Sequence, residues 1–262
     1  MIKLNEIEAI FFRVLKDLKD YLNDLTLVGG WVPYIYTRFL WNNVLAKPIT
    51  TVDIDFGFGD VKEKVYSKTI FDKLSSLDYT ERHLEIGKIY PVVLYKKGKI
   101  PIDFITFPEI GNDIIEKFIG RQIDINKIDM FDFLIKYRMP INIKNKYRKV
   151  SSEIYCPKPS AFLYQKGAVF IDREDEQKRA KDLHYIYFIL RYAPDIDIIF
   201  KEIIEYHKKG YFKNISQNLS KYFERSASQG CLMVEKENGP DDYIDDLRQD
   251  IFERFKKLRE LL

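Results

Sequence analysis

The sequence contains few of the residues that build disulfide frameworks and zinc sites. It has two cysteines, Cys156 and Cys231, and its three histidines, His83, His184 and His207, are scattered with no metal-ligand spacing. Two cysteines are too few for a disulfide framework and fit a reducing compartment. The composition therefore points away from small disulfide-rich secreted domains and from zinc modules.

Long hydrophobic runs are also missing. No apolar segment approaches the roughly 18 to 20 residues of a transmembrane helix. The chain begins Met-Ile-Lys-Leu-Asn-Glu and passes directly into a charged amphipathic pattern, without the apolar stretch of a signal peptide. We therefore expect a cytoplasmic protein with no membrane partner.

The residues that are abundant describe an ordinary folded protein with an aromatic interior. Hydrophobic residues make up 46% of the 262 positions and charged residues 32%, and there are 19 Phe and 18 Tyr. These fractions argue against intrinsic disorder. The 43 basic and 40 acidic residues leave a net charge of +3, so the overall charge does not by itself require a nucleic-acid partner.

The first part of the chain combines helix and strand patterns. Apolar residues recur at helical spacing over residues 6–21, 31–41 and 65–77. Short runs of strand composition, bounded by turn residues, are found at residues 25–28, 50–58, 90–95, 100–107, 141–143 and 150–155. We expect a mixed sheet flanked by helices.

The rest of the chain, after Pro157 and Pro159, is predicted to be helical. Helical patterns cover residues 161–170, 174–191, 196–208 and 244–262. Residues 226–241 contain two glycines and a proline and are expected to form a loop between helices. The predicted fold class is α+β, with a mixed-sheet domain at residues 1–158 followed by a C-terminal helical bundle at residues 159–262.

Three aspartates have a spacing typical of a metal site. Asp53 and Asp55 are two residues apart on a predicted strand, so both carboxylates project from one face, where hard oxygen ligands suit Mg²⁺ or Mn²⁺. Asp103 is a third carboxylate within an apolar strand, and burying an unpaired carboxylate costs several kcal/mol. A bound metal would offset that cost. The alternative is that the three side chains line the polar side of an edge strand.

Gly29 and Gly30 end a predicted strand and open a predicted helix. The free backbone N–H groups and the positive helix end at such a turn hold phosphate oxygens. A tight strand-to-helix turn that needs a positive φ also requires glycine, so the pair alone leaves both interpretations open. The order is more informative, because a glycine turn, a helix, an Asp-x-Asp strand and a single-Asp strand follow one another.

In this order the sequence resembles the DNA-polymerase-β-type nucleotidyltransferase superfamily, and within it the bacterial abortive-infection AbiEii-like toxin branch. The motifs that carry the resemblance are Leu27-Val28-Gly29-Gly30-Trp31, Thr51-Val52-Asp53-Ile54-Asp55-Phe56, Ile102-Asp103-Phe104-Ile105, and then Lys166, Ala168, Arg173 and Lys181-Asp182-Leu183. The resemblance covers most of the chain. Two positions depart from the family pattern: Gly30 stands where Ser is common, and Tyr185 stands where the last motif often has a second acid.

The resemblance implies a nucleotidyltransferase fold and two-metal transfer of a nucleoside monophosphate from an NTP to a hydroxyl acceptor. Asp53 and Asp55 would hold the ion bound to the triphosphate, and Asp103 would join them at the ion that activates the attacking hydroxyl. Gly29 and Gly30 would contact the phosphates. The toxin branch implies tRNA or another RNA as the acceptor, with protein hydroxyls as a second possibility, and a cognate antitoxin as a partner.

Lys166, Arg173 and Asp182 complete the nucleotide site that the resemblance implies. Lys166 and Arg173 are seven residues apart, so one helix that continues through both would point them together at a triphosphate. Asp182 either orients Lys166 by an ion pair or faces water. Without the resemblance, Lys166 and Arg173 are more simply explained as solvated charges on helices.

The densest basic run lies between the last two predicted strands. It consists of Lys144, Lys146, Arg148 and Lys149, with Tyr147 among them. Such a run can contact an RNA backbone and offer an aromatic stacking platform, although it is more often a solvated hairpin.

Two other functions stay open at this point. A protein of the same fold that has lost activity would bind nucleotide and act as a regulator, although three intact aspartates argue against it. A metal-dependent nuclease would need an acid and a lysine two residues apart after the first Asp, and Glu85-Ile86-Gly87-Lys88 lacks that spacing.

Overall fold

A computed structural model describes residues 4–43, 51, 53–61, 66–77, 79–86, 90–97, 100–121, 123, 125–146, 149–238 and 246–262, without the side chains of residues 4–5, 81–86 and 90–97. The chain divides into two compact units, Met1–Pro157 and Lys158–Leu262. The first contains a mixed sheet with helices, and the second is helical. The predicted α+β class is therefore confirmed. That the two units are separate domains stays a prediction.

The described strands of the first unit form one sheet. They are β1 (Leu25–Val28), β2 (Ile54–Phe58), β3 (Thr80–Ile86), β4 (Tyr90–Lys97), β5 (Ile100–Thr106), β6 (Asn126–Lys127), β7 (Arg138–Asn145) and β8 (Val150–Pro157). Their order is β3-β4-β5-β2-β1-β8-β7, with β6 paired to β5. The pairs β2–β5, β1–β8 and β5–β6 are parallel and the other pairs are antiparallel.

Helices of the first unit bury aromatic and aliphatic side chains. They are α1 (Leu4–Asp17), α2 (Val32–Ile35), α3 (Ile70–Ser75), α4 (Asn112–Phe118) and α5 (Asp132–Lys136). In α1 the apolar spacing noted in the sequence buries Phe11 and Leu15 completely. The ring of Phe11 stacks on that of Trp31 with centroids 4.0 Å apart. This packing ties α1 to the segment that follows the glycine pair.

The two faces of the central strand β2 differ in character. Ile54, Phe56 and Phe58 are fully buried on one face. Because side chains alternate along a strand, Asp55 and Gly57 lie on the opposite face. The sheet therefore has a core face and a second face that carries carboxylates.

Several predicted boundaries in the first unit shift. The helix predicted at residues 6–21 ends at Asp17, because the chain must turn over residues 18–24 to enter β1. The helix predicted at residues 31–41 is a 3₁₀ turn at Gly29–Trp31, then α2 and a π-helical turn at Tyr36–Leu40. Strand β3 was not predicted. Residues 50, 52 and 65, which the predicted elements include, lie outside the described residues.

The second unit consists of helices that pack through buried apolar side chains. They are α6 (Pro159–Val169), α7 (Glu176–Tyr192), α8 (Ile196–Lys208), α9 (Ile215–Tyr222), α10 (Gln229–Asn238) and α11 (Leu247–Glu260). Helix α9 was not predicted from the sequence. Within the described ranges, no helix of either unit is long and apolar enough to cross a membrane.

The loop predicted for residues 226–241 is wrong over Gln229–Asn238, which forms α10. Gly230, which favoured a loop, is buried inside this helix. A β-carbon on Gly230 would lie 2.6 Å from the Phe223 ring and from the Tyr222 carbonyl oxygen. The glycine therefore permits close packing of a helix and does not mark a turn.

Candidate active site

Asp53, Asp55 and Asp103 come together on one face of the sheet. Strands β2 and β5 are parallel neighbours, and their register places Asp55 directly beside Asp103. Asp53 immediately precedes β2. The three side chains offer carboxylate oxygens that all lie within 4.8 Å of one another. The structure thus brings together the three carboxylates that the sequence analysis selected, in an arrangement that can hold a divalent cation.

The surroundings of Asp103 disfavour its negative charge. Its Oδ1 atom is buried and has no hydrogen-bond partner among the described residues. Burial, and then the charge of Asp53, raise the pKa of Asp103 to about 6. The hydroxyl of Thr51 donates a hydrogen bond to Asp53. At neutral pH the cluster therefore concentrates negative charge that a cation would stabilise.

The glycine turn lies against Asp55. Val28 pairs with Asp55 across β1 and β2, so Gly29 follows directly beside that carboxylate. Gly29 has a φ of 70°, in the left-handed region, and a β-carbon there would overlap Asp55 Oδ2 and lie 2.9 Å from Asp55 Cγ. Both backbone conformation and space therefore require glycine at this position. The helical segment opens at the same turn, so the two interpretations of the glycine pair are compatible.

Beyond Asp55, the same face of β2 is covered by apolar side chains. A β-carbon on Gly57 would lie 2.5 Å from Cε1 of Phe131, and one on Gly59 would lie 3.1 Å from Cγ2 of Ile135. Helix α5 and the residue before it therefore rest directly on the strand backbone. The carboxylates are bounded along β2 by the glycine turn at one end and by this apolar wall at the other.

In the second unit, the Asp182 carboxylate forms ion pairs with two cationic side chains. The Lys166 ammonium lies 2.6 Å from Asp182 Oδ1, and Arg173 Nε lies 2.9 Å from Asp182 Oδ2. The sequence analysis left open whether Asp182 pairs with Lys166 or faces water. Only 5% of the Asp182 side chain is exposed, and the ion pair with Lys166 is the arrangement observed. The Lys166 ammonium also lies 5.9 Å from the ring centroid of Tyr185. The family pattern often has an acid at the position of Tyr185, and here the aromatic ring of Tyr185 lies beside the Lys166 ammonium instead.

The prediction that one helix continues through Lys166 and Arg173 is wrong. Helix α6 ends at Val169, a 3₁₀ turn covers Phe170–Asp172, and Arg173 has an extended backbone. The two cations meet because Asp182 on α7 binds both, a contact that helical spacing within one segment does not reveal.

Most of the chain matches a known protein family. A family model described as nucleotidyltransferase matches residues 10–197, more than two thirds of the chain. The chain belongs to this nucleotidyltransferase family. The matched range includes the glycine turn, the three carboxylates and the Lys166–Asp182 pair.

Among solved structures, this nucleotidyltransferase is similar to an antigenic nucleotidyltransferase-like protein from Paracoccidioides brasiliensis. The identity is 13% and the TM-score 0.42, over 79% of this chain and 91% of that chain. A comparison with curated proteins gives no match. The family assignment therefore rests on the sequence match.

Sequence reasoning missed the apolar wall of this nucleotidyltransferase. The signal was present, because Gly57 continues the alternate positions of Asp53 and Asp55 along one strand face. A glycine at that position indicates close approach of another element. The sequence does not show that Phe131 is that element, because the contact joins positions far apart in the chain.

Replacing Gly29 by Ala should lower the free energy of unfolding by about 3 kcal/mol, because the left-handed backbone and the overlap with Asp55 each oppose a side chain. Gly210→Ala is the matched control. Gly210 has a φ of 83°, yet its nearest neighbour to an added β-carbon is Lys213 Cε at 3.7 Å. The control should cost about 1 kcal/mol. Urea unfolding measures both, and equal costs would show that Asp55 does not occupy the space beside Gly29.

Proposed function

We propose that this nucleotidyltransferase transfers a nucleoside monophosphate from an NTP to the hydroxyl group of an acceptor. The reaction takes place at Asp53, Asp55 and Asp103. The acceptor oxygen forms a bond to the α-phosphorus, and the bond to the bridging oxygen breaks with its electron pair leaving on pyrophosphate. The hydroxyl proton passes to water. The observation that carries the proposal is the convergence of three carboxylates on one sheet face beside the glycine turn.

Mg²⁺ or Mn²⁺ is the cofactor that these residues fit. Three hard oxygen donors within 4.8 Å of one another match the ligand preference of these ions. The buried Oδ1 of Asp103, with no partner among the described residues, gains most from a cation. Asp53, Asp55 and Asp103 would therefore hold the metal. When bound, it supplies positive charge at the triphosphate and lowers the pKa of a hydroxyl group.

The protein's own contribution is mainly positioning. Parallel pairing of β2 with β5 fixes Asp55 and Asp103 side by side before any substrate arrives. Groups held in place in this way need little reorganisation in the transition state. Gly29 and Gly30 would offer backbone N–H groups to phosphate oxygens at the start of the helical segment, and the missing side chain at Gly29 lets the Asp55 carboxylate lie directly against that backbone.

Lys166 and Arg173 are proposed to supply positive charge to the triphosphate, with Asp182 as the residue that orients both. The support is that one carboxylate binds both cations, which leaves the group with excess positive charge. Unchanged NTP affinity in a folded Lys166→Ala variant would contradict this role.

The finer parts of the proposal rest on the motif resemblance. They are an RNA acceptor such as tRNA, with a protein hydroxyl as the alternative, an AbiEii-like toxin role with a cognate antitoxin, and a cytoplasmic location.

Incubation with each α-labelled NTP, Mg²⁺ and a cell extract containing total RNA should label one acceptor class in the presence of this protein. The Asp53→Asn, Asp55→Asn double variant should give no label above background, because it removes two of the three metal ligands. A variant of two exposed aspartates, Asp129→Asn with Asp132→Asn, has the same change in charge and should label normally. Binding of NTP without labelling by the parent would favour an inactive nucleotide-binding protein.

A further inference from the structure

The sheet face that carries the carboxylates extends across three more strands. Residues paired across neighbouring strands point to the same face of a sheet. Gly57, on the face of Asp55, pairs with Thr26 on β1, and Thr26 pairs with Tyr155 on β8. The partly exposed side chain of Tyr155 therefore lies on the carboxylate face.

The same face continues onto the edge strand β7. Tyr155 pairs with Pro140, and Ser151 pairs with Lys144. Alternation along β7 places Lys144 on the carboxylate face, while Ile141 and Ile143 are buried on the other. Lys144 is exposed.

Arg138 supplies a fixed positive charge between the carboxylates and Lys144. It lies at an even position of β7, on the same face, and its Cζ atom is 4.3 Å from the ring centroid of Tyr155. Its Nη1 donates a hydrogen bond to Thr26 Oγ1 at 3.1 Å, and its Nη2 to the carbonyl oxygen of Asn23 at 3.3 Å. The Arg138 side chain therefore reaches from β7 across β8 to β1, the strand that lies next to β2.

The tip of the β7–β8 hairpin concentrates basic charge. Lys144, Lys146 and Lys149 are exposed, and Lys149 has a φ of 52°. Residues 144–152 contain four basic residues and no acid, in a chain whose net charge is only +3. Tyr147 and Arg148, which share this run, lie outside the described residues. Together, Arg138, Lys144, Lys146 and Lys149 are called the basic strip below.

Strand direction places the hairpin tip at the end of the sheet opposite the glycine turn. Gly29 follows the end of β1, whereas Val150 begins β8, and these two strands are parallel. From a rise of about 3.3 Å per residue and a strand spacing of about 4.8 Å, Val150 lies about 25 Å from Asp55. In an in-line displacement the attacking group stands opposite the leaving group. With phosphates at the glycine turn, the acceptor comes from the hairpin side of the sheet and crosses β8 and β1, because Phe131 and Ile135 cover the far end of β2.

We propose that the basic strip binds the phosphodiester backbone of a single-stranded polynucleotide acceptor whose terminal hydroxyl reaches the carboxylates. This inference rests on the proposed function and assigns the surface that holds the acceptor. Lys144 is exposed on the carboxylate face, Lys146 and Lys149 are exposed at the hairpin tip, and Arg138 is partly exposed; the exposed Glu153 lies on the same face of β8. This series of cations matches a chain of regularly spaced phosphates. A polypeptide backbone is uncharged, whereas a polynucleotide backbone carries one negative charge per nucleotide.

The test is the affinity of the full-length protein for a fluorescent single-stranded RNA of about 12 nucleotides, with DNA of the same sequence as a second arm. The variant Lys144→Gln, Lys146→Gln, Lys149→Gln should bind at least about tenfold more weakly at 0.1 M salt. The slope of log affinity against log salt should become shallower by about 2, because each lost single-strand phosphate contact removes about 0.7. RNA bound more tightly than DNA would identify RNA as the acceptor strand.

The matched control is Lys16→Gln, Lys19→Gln, Lys117→Gln, which removes three exposed lysines elsewhere in the same unit. This control should stay within about twofold of the parent. Equal losses in the two triple variants would overturn the basic strip, because they would reflect net charge alone. Unchanged affinity in the hairpin variant, or transfer of label from NTP to protein and not to nucleic acid, would also overturn it while leaving the proposed function intact. The protein could also bind the polynucleotide through Lys144, Lys146 and Lys149 and yet transfer no nucleotide. That result would overturn the acceptor role and the proposed function together.

Discussion

Replacing Asp103 with Asn should reduce nucleotidyl transfer at least about a hundredfold while leaving NTP affinity within a few fold. The substitution keeps the shape of the side chain and removes its charge. In the proposed reaction Asp103 acts chiefly at the attacking hydroxyl, so its charge matters more in the transition state than in the bound ground state. Rate and nucleotide affinity must be measured with the acceptor that the labelling experiment identifies.

The same substitution should stabilise the metal-free protein at neutral pH. Folding raises the pKa of Asp103 from the ordinary value of 3.8 to about 6. Between about pH 4 and pH 6 the unfolded chain has already lost this proton, whereas the folded protein still holds it. The free energy of unfolding therefore falls as pH rises through this range, and it stays at the lower value above about pH 6. A pKa difference of this size corresponds to about 3 kcal/mol at most. Partial exposure and the buried amide of Asn reduce the expected gain to about 1 to 2 kcal/mol.

Urea unfolding in EDTA at pH 4 and pH 7.5 separates this gain from a general effect of the substitution. Asp103→Asn should exceed the parent in stability at pH 7.5 and match or fall below it at pH 4. The exposed Asp129→Asn serves as the control and should change neither value. Lower stability at pH 7.5 together with unchanged transfer would contradict both the electrostatic and the catalytic role of Asp103.

Divalent metal should stabilise the folded protein strongly, and its removal should reverse the effect. Carboxylate oxygens within 4.8 Å repel one another until a cation binds, and the unfolded chain has no such cluster. A ligand that binds only the folded state at a thousand times its Kd contributes about 4 kcal/mol. For a chain of this size that corresponds to a rise in Tm of about 10 °C. Scanning calorimetry with and without EDTA measures the rise.

The carboxylate cluster was predictable because its placement depends on local alternation. Asp53 and Asp55 share a face in any strand that contains both. Their meeting with Asp103 also depends on the pairing of β2 with β5, which the order of the motifs indicated through the family resemblance. The fold class followed in the same way from patterns of spacing that each segment carries by itself.

Features that depend on contacts between distant segments were not predictable. Strand β3 has the sequence Thr-Glu-Arg-His-Leu-Glu-Ile, without a regular apolar alternation, and its pairing with β4 defines it. Gly230 has the composition of a turn, yet its environment is a tight helix contact with Phe223. The pairing of Arg173 with Asp182 and the contact of Arg138 with Tyr155 likewise require the tertiary arrangement.

Direct titration with Mn²⁺ tests the central claim, which is that Asp53, Asp55 and Asp103 form the metal site. Calorimetric titration should show saturable Mn²⁺ binding to the parent and to the variant Asp129→Asn, Asp132→Asn. The variant Asp53→Asn, Asp55→Asn should show none in the same concentration range and no metal-induced rise in Tm. Undiminished Mn²⁺ binding and an equal rise in Tm in that last variant would place the metal elsewhere and contradict the account.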